Sequence, residues 1–349
     1  MLKRSSSYNL TLSNIVMIGG LKLMLFVAGM GSAHPDIVID NAFLESLEVG
    51  SSSEWIIAKI GIERRKTTLP LDYIIETKNS DYTKAPEVAT MSPTDLGVEA
   101  SLQAISRAGI SPDQIGMVIA NCCTPYQTTP AESQRIAKRL NLKRVMAFDV
   151  FTACPVFSLH LNILLSYAKD ALPDYVLLVS TGTLTHKVDY RDRTAGAIWG
   201  DGAAACVVSK KDGLLKVLHA DFIADPLRCD LVAVESYGYF HQEGRAIRNF
   251  SVLQTVKMLR ALEKQFELDW NRDVFIGHQA NYTMLTQITG NRKIPDKNHW
   301  HNVIEYGNQA GASCMAVLSQ NWEKITSPQK IVISVVGAGL SWGSTVLEA

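Results

Sequence analysis

Asp149-Val150-Phe151-Thr152-Ala153-Cys154-Pro155-Val156-Phe157-Ser158-Leu159-His160-Leu161-Asn162-Ile163-Leu164-Leu165 is a turn of small residues running into an almost wholly apolar segment. Proline is tolerated at the first position of a helix, where its missing N–H would have no partner, so Pro155 predicts a helix beginning there. A segment apolar on nearly every side is a helix buried all round. Cys154 then stands at the positive end of a buried helix dipole, which favours the thiolate and makes a nucleophile. The competing reading is a thiol that only fills space, since free Cys is among the most buried residue types. Segments further along the chain decide between the two.

Strand-like runs alternate with helical ones on both sides of this stretch. The strand runs include Met117–Ala120, Tyr175–Ser180, Ala203–Ser209, Val274–Ile276 and Ile331–Val336. Ser92 to Ala108 and Pro130 to Leu140 have helical spacing. Such alternation predicts βαβ units and a largely parallel, covered sheet. The order of events also repeats. Val118-Ile119-Ala120-Asn121 is echoed by Val274-Phe275-Ile276-Gly277-His278, and the turn before Cys154 by Tyr306-Gly307-Asn308-Gln309-Ala310-Gly311-Ala312-Ser313. Gly200-Asp201-Gly202 with its apolar run is matched by Gly339-Leu340-Ser341-Trp342-Gly343 with its own. Two like halves facing across a pseudo-twofold would bring Cys154 of the first against Asn308 of the second, with His278 alongside.

Bulk properties narrow the class. With 349 residues, 47% apolar and 19% charged, the chain has the composition of a core-forming protein. Lys plus Arg and Asp plus Glu are each 34, so no global basic field argues for nucleic acid. The six cysteines show no CxxC pair or Cys/His spacing suited to a metal, which predicts reduced thiols in a cytoplasmic protein. Near the start, Lys3 and Arg4 followed by the apolar run 21–33 mimic a leader peptide. Lys22 interrupts that run and polar residues 5–14 detach the basic pair, so 1–22 reads as a flexible extension and Leu23–Gly29 as the first strand. No run reaches the ~18 apolar residues needed to span a membrane.

Five segments, in order and spacing, carry a resemblance: Phe151-Thr152-Ala153-Cys154, Gly200-Asp201-Gly202-Ala203, Phe275-Ile276-Gly277-His278-Gln279-Ala280-Asn281, Tyr306-Gly307-Asn308 and Gly337-Ala338-Gly339-Leu340-Ser341-Trp342-Gly343. Together with Glu54-Trp55-Ile56 and Gly61-Ile62-Glu63-Arg64-Arg65 they resemble the β-ketoacyl-acyl-carrier-protein synthase III family of the thiolase superfamily. The resemblance implies an α/β fold of duplicated βαβαβαββ halves in five αβαβα layers. It divides the chain into residues 23–210, carrying the nucleophile, and 211–349, carrying His and Asn. It implies a homodimeric acyltransferase acting on acyl-carrier-protein or coenzyme A thioesters, with no metal and no cofactor beyond the 4′-phosphopantetheine arm of the substrate.

By position, Cys154 would take the acyl group while His278 and Asn308 polarise the second thioester's carbonyl. The backbone N–H groups of Cys154 and Gly339 would hold the tetrahedral oxyanion, and a side chain at Gly339 would crowd that approach. Trp55, Lys59, Arg193 and Asn281 fall where relatives grip the nucleotide or pantetheine arm. Gly200-Asp201-Gly202 reads as a tight turn that shapes the site without chemistry. Thr283 replaces a basic residue that docks the carrier in some relatives; Arg135, Lys138, Arg139, Lys143 and Arg144 form another basic strip, which also reads as a solvated helix face.

Two further residues bear on the reaction. Thr129 stands where relatives place a bulky residue at the neighbouring subunit's acyl pocket, which predicts a deeper pocket. Thr129-Pro130-Ala131-Glu132 reads as a capping box with Pro at the first helical position. The alternative makes Glu132, reaching across the dimer seam, a base for a donor that must lose a proton rather than carbon dioxide. The stretches 50–55 and 68–73 resemble the free-standing ketosynthases that join two β-ketoacyl chains into an α-pyrone, such as the photopyrone and myxopyronin enzymes. Decarboxylative condensation with a malonyl carrier is the alternative, and a non-catalytic partner subunit is a third reading.

Overall fold

In the computed structural model, residues 23–349 are described; the proposed extension 1–22 lies outside them. Nine strands form one hydrogen-bonded sheet: β1 (Phe26–Ala33), β2 (Ile115–Cys122), β3 (Met146–Asp149), β4 (Tyr175–Thr183), β5 (Asp201–Ser209), β6 (Leu215–Ala224), β7 (Val274–Gly277), β8 (Lys330–Gly337) and β9 (Ser341–Glu348). Their spatial order is β7-β8-β9-β6-β1-β5-β4-β2-β3. The order is one motif written twice. In the first half β1 pairs antiparallel with β5, β5 antiparallel with β4, and β4 parallel with β2, which pairs parallel with β3. In the second, β6 pairs antiparallel with β9, β9 antiparallel with β8, and β8 parallel with β7. A single parallel bridge, Phe275 to His299, stands where the first half has β3. The halves meet through the short β1–β6 pairing at Phe26–Lys216 and Val27–Leu215.

The expectation of a largely parallel sheet is thus corrected. The last strand of each half, β5 or β9, runs antiparallel to both of its neighbours, because no long helix separates β4 from β5 and only a tight turn separates β8 from β9. Parallel pairing needs a crossover of a dozen or more residues, usually helical.

The helices that matter are α1 (Ser53–Lys59), α2 (Pro93–Arg107), α3 (Glu132–Arg139), α4 (Val156–Leu165), α5 (Gly244–Phe266), α6 (Tyr282–Arg292), α7 (Val303–Tyr306) and α8 (Ala312–Gln320). α2 begins where the sequence placed it, on a capping box of Ser92 and Asp95 with Pro93 at its first turn. It covers one face of the first half's sheet, meeting Ala203, Ala205 and Val207, while the alternate residues Ala204, Cys206 and Val208 face α8. The second half is layered alike. Val332 and Val346 pack beneath α5, and Ile331, Ile333 and Leu347 share a cluster with Phe157 and Leu161 of α4. The layers therefore run α2, sheet, α4 with α8, sheet, α5 with α6. Each inner helix lies on the sheet of the opposite half, α4 on β6 and β9, α8 on β1 and β5. Both inner helices are apolar on nearly every side for this reason. Among the described residues no helix is long and apolar enough to cross a membrane.

Candidate active site

The turn before α4 is fixed by one buried carboxamide. Asn121, at the end of β2, donates through Nδ2 to the carbonyls of Val150 (3.1 Å) and Thr152 (2.7 Å). The N–H of Val150 in turn donates to Ala120 at 2.8 Å. Cys154 follows at the N-terminal approach to α4, which begins one residue later than predicted, with Pro155 at the cap position. From the other half, β8 ends against the same turn: a Cβ on Gly337 would lie 2.8 Å from Pro155 Cδ, 3.0 Å from Cys154 N and 3.1 Å from Cys154 Cβ.

His278 is the residue after β7 and is buried. Asn308 follows Gly307, whose φ of +65° and closeness to the Ile198 carbonyl admit only glycine without strain. The N–H of Asn308 donates to Ile198 O at 2.9 Å, and its carbonyl accepts from the N–H of Gly200 at 3.0 Å. The side-chain Oδ1 of Asn308 accepts from the Ala310 N–H at 2.9 Å, so its NH₂ end is the part left to engage a ligand. Cys154, His278 and Asn308 line a single cavity of ≈ 210 Å³, walled chiefly by apolar side chains such as Ile60, Trp199, Phe240 and Met284. The convergence predicted from the repeated halves is present.

Protonation follows from that apolar surrounding. Burial holds the His278 imidazole down to about 4, so it is neutral at neutral pH. Burial pushes the Cys154 thiol above its ordinary value, reinforced by Cys123 and Cys314 nearby. The expected thiolate at the helix terminus is therefore not the resting form: desolvation by the cavity walls outweighs the dipole of α4. A neutral thiol and a neutral imidazole share the site.

Gly339 is placed differently from the expectation. Its φ of +126° demands glycine, yet a Cβ there would meet only atoms of Ser341, at 3.3 Å or more. Crowding of the nucleophile belongs to Gly337, which with Ala338 lines the cavity. Asp201 keeps a structural part: it accepts from the N–H and hydroxyl groups of both Thr68 and Thr185 at 2.7–2.9 Å.

Outside the cavity lies a larger recess of ≈ 750 Å³ lined by Trp55, Lys59, Arg245, Arg248, Thr194 and Thr283. Gly244 and Arg248 line both spaces, so the recess adjoins the cavity. Arg193 stacks over the Trp55 ring at 4.7 Å and donates to Gly50 O at 2.8 Å. Asn281 caps α6, accepting from the Met284 N–H, and donates to the Lys59 carbonyl. Thr283 also donates to that carbonyl, so its hydroxyl fastens α1 to α6. Besides Lys59 of α1, the basic groups at the recess are Arg245 and Arg248 of α5, which no sequence motif marked. Of the other basic strip, Arg135 is tied to Thr94 and Gln127, and Arg139 to Asp95.

The capping-box reading of Glu132 is overturned. α3 starts at Glu132, and its first N–H groups, those of Glu132 and Ser133, donate to the Asp149 carboxylate at 2.8 and 2.9 Å. Asp149 arrives from β3, remote in sequence, and takes the role assigned to Thr129. Glu132 is buried, accepts from the Thr94 hydroxyl at 2.5 Å, and is held above the usual carboxylate range by burial. Neither Glu132 nor the exposed Thr129 lines the cavity within one protomer.

The chain is similar to known proteins in sequence and in fold. Residues 148–226 match the 3-oxoacyl-acyl-carrier-protein synthase III family and residues 270–349 its C-terminal part. The β-ketoacyl-acyl-carrier-protein synthase III of Aquifex aeolicus is 27% identical over 325 residues, covering 92% of this chain and 98% of that protein. The crystal structure of the Aquifex aeolicus enzyme superposes with a TM-score of 0.82 at 25% identity, over 93% of this chain and all of that one. The chain is a synthase III-like ketosynthase. The synthase III of Pseudomonas aeruginosa is similar to the same degree, with a TM-score of 0.80 at 27% identity. As a synthase III-type chain it is a condensing acyltransferase, and its fold matches those solved synthase III structures along nearly its whole length.

Proposed function

We propose that the protein loads an acyl chain on Cys154 and condenses it with a second carrier-bound β-ketoacyl thioester, releasing an α-pyrone. The observation that carries the condensing chemistry is the meeting of Cys154, neutral His278 and Asn308 on one apolar cavity. In the first step sulfur attacks the donor carbonyl, and the thiol proton leaves on the departing carrier or coenzyme thiol. The Cys154 N–H, with the Gly337–Gly339 turn opposite, lies where the tetrahedral oxyanion forms. In the second step the Asn308 NH₂ and His278 hold the enolate oxygen of the incoming thioester, each donor contributing ~3 kcal/mol. The new C–C bond displaces the Cys154 thiolate, which is then protonated. The loaded chain is itself a β-ketoacyl chain, and attack of its β-keto enol oxygen on the remaining thioester closes the six-membered lactone and frees the carrier thiol. Lys59, Arg245 and Arg248 suit the phosphates of a pantetheine arm and an acidic carrier surface.

Glu132 supports the β-ketoacyl donor over a malonyl one. It is a buried carboxyl that caps nothing, and a β-ketoacyl donor needs a base whereas malonyl loses carbon dioxide. The base would reach the cavity of a second copy. A homodimer suits the outer edge of β3 and the exposed Met146 and Phe151 beside it, an apolar edge that a lone chain leaves open. The second reading, malonyl condensation, draws on the names of the relatives.

Two β-ketoacyl-carrier thioesters incubated with the enzyme should yield a pyrone by mass spectrometry. A product only with malonyl carrier would establish the second reading. Glu132→Gln should abolish condensation of the β-ketoacyl donor while Cys154 still acylates; unchanged condensation removes the base.

A further inference from the structure

We propose that Gln279 is the positioning residue that holds His278 and Asn308 in mutual register for the condensation step, an inference that rests on the roles given to those two residues above. Gln279 is completely buried and does not line the cavity. Its Nε2 donates to Gly277 O at 2.7 Å, the carbonyl immediately before His278. The same carbonyl accepts from the Cys314 thiol of α8 at 3.2 Å. At the other end, Oε1 accepts from the N–H groups of Asn302 (3.0 Å) and Val303 (3.2 Å). Those N–H groups open α7, which has no side-chain cap of its own. α7 ends at Tyr306 and delivers Gly307 and Asn308 to the site.

One carboxamide therefore clamps the strand that ends at His278 to the helix that leads to Asn308. Its geometry needs a donor at one end and an acceptor at the other. Asparagine is a methylene too short to span the gap, and the reversed amide would set its NH₂ against two N–H donors. Acylation of Cys154 draws on the turn held by Asn121, a different element; condensation draws on the clamped pair. The clamp should thus matter to the second half-reaction and little to the first.

The test separates those half-reactions in Gln279→Met and Gln279→Glu. The methionine variant keeps the length and loses both polar ends. It should acylate Cys154 within about twofold of wild type, read by intact mass, and condense at least ~10-fold slower. In the glutamate variant, the protonated carboxyl reproduces both the donor and the acceptor, whereas the ionised one has nothing to donate to Gly277 O. Its condensation rate relative to wild type should recover as pH falls from 8 to 6, with acylation flat over the same range. A parallel loss of both half-reactions in the methionine variant, or wild-type condensation by it, overturns the proposal. Condensation by the glutamate variant that stays low at every pH also overturns it. Wild-type enzyme that condenses no donor would instead refute the functional reading, leaving the two failures distinct.

Discussion

Gly337→Ala should disable the nucleophile in a chain that still folds. The added methyl would sit 2.8 Å from Pro155 Cδ and about 3 Å from the N and Cβ atoms of Cys154. Carbon atoms in contact prefer ~3.5 Å or more, so a gap of roughly half an ångström must open between β8 and the turn before α4. None of the three neighbours is the end of a flexible side chain, so no rotamer change relieves the overlap. Overpacking of this kind costs about 1–3 kcal/mol of stability. Displacement of a reacting group by a sizeable part of an ångström slows its step by roughly 10- to 100-fold. Gly337 lies outside the left-handed region of φ, so the effect is one of contact and not of backbone conformation. Acylation by an acyl-coenzyme A, followed by intact mass at short times with thermal unfolding in parallel, measures both. Gly339→Ala is the contrast: its methyl avoids Cys154, so its cost comes through backbone strain at a φ of +126° and should appear first in thermal unfolding. Wild-type acylation by folded Gly337→Ala would refute the reasoning.

Three other outcomes are expected. Asp149→Ala removes the acceptor for the first two N–H groups of α3 and should cost ~1–2 kcal/mol in urea unfolding, whereas Thr129→Ala should cost almost nothing. Burial holds His34, His278 and His299 down to about 4, and His160 and His186 to about 3. The unfolded chain then binds more protons than the folded one below about 6.5, and stability should fall as pH drops from 6.5 toward 4. Asp201, raised to about 6, and Glu132 pull the opposite way, but two carboxyls oppose five imidazoles; an unfolding midpoint that does not fall between pH 7 and 5 would contradict this. Arg245→Glu, which lies in the recess and not in the cavity, should raise KM for a carrier-bound donor by about tenfold and leave a small thioester without a carrier unaffected, a split that a change in the cavity itself would not give.

What could be read from the residues alone was local or periodic. Cys154, His278 and Asn308 each close a strand or open a helix in a segment that repeats, so their order along the chain predicts where they meet. α2 was legible because the residues from Ser92 to Ala108 keep helical spacing within one short segment. Glu132 misled for the opposite reason: a Thr-Pro-Ala-Glu run looks self-sufficient, and the real cap comes from Asp149 on a separate strand. The resting state of Cys154 depends on walls supplied by Trp199, Phe240 and Met284, which no neighbour in sequence announces. Arg245 and Arg248 begin a long helix with mixed charge, and only the fold turns them toward the recess. Gly337 and Gly339 stand two residues apart, and backbone proximity, not spacing, separates contact from conformation.

The crossed placement of α4 and α8 has a consequence for assembly. Each half must lend the helix behind its reactive turn as the lining of the other's sheet, so a first half made alone would leave α4 without its sheet and β5 half bare. The sulfur and the carboxamide cannot face each other until both halves have closed. Completion of the chain is thereby itself a condition for reactivity.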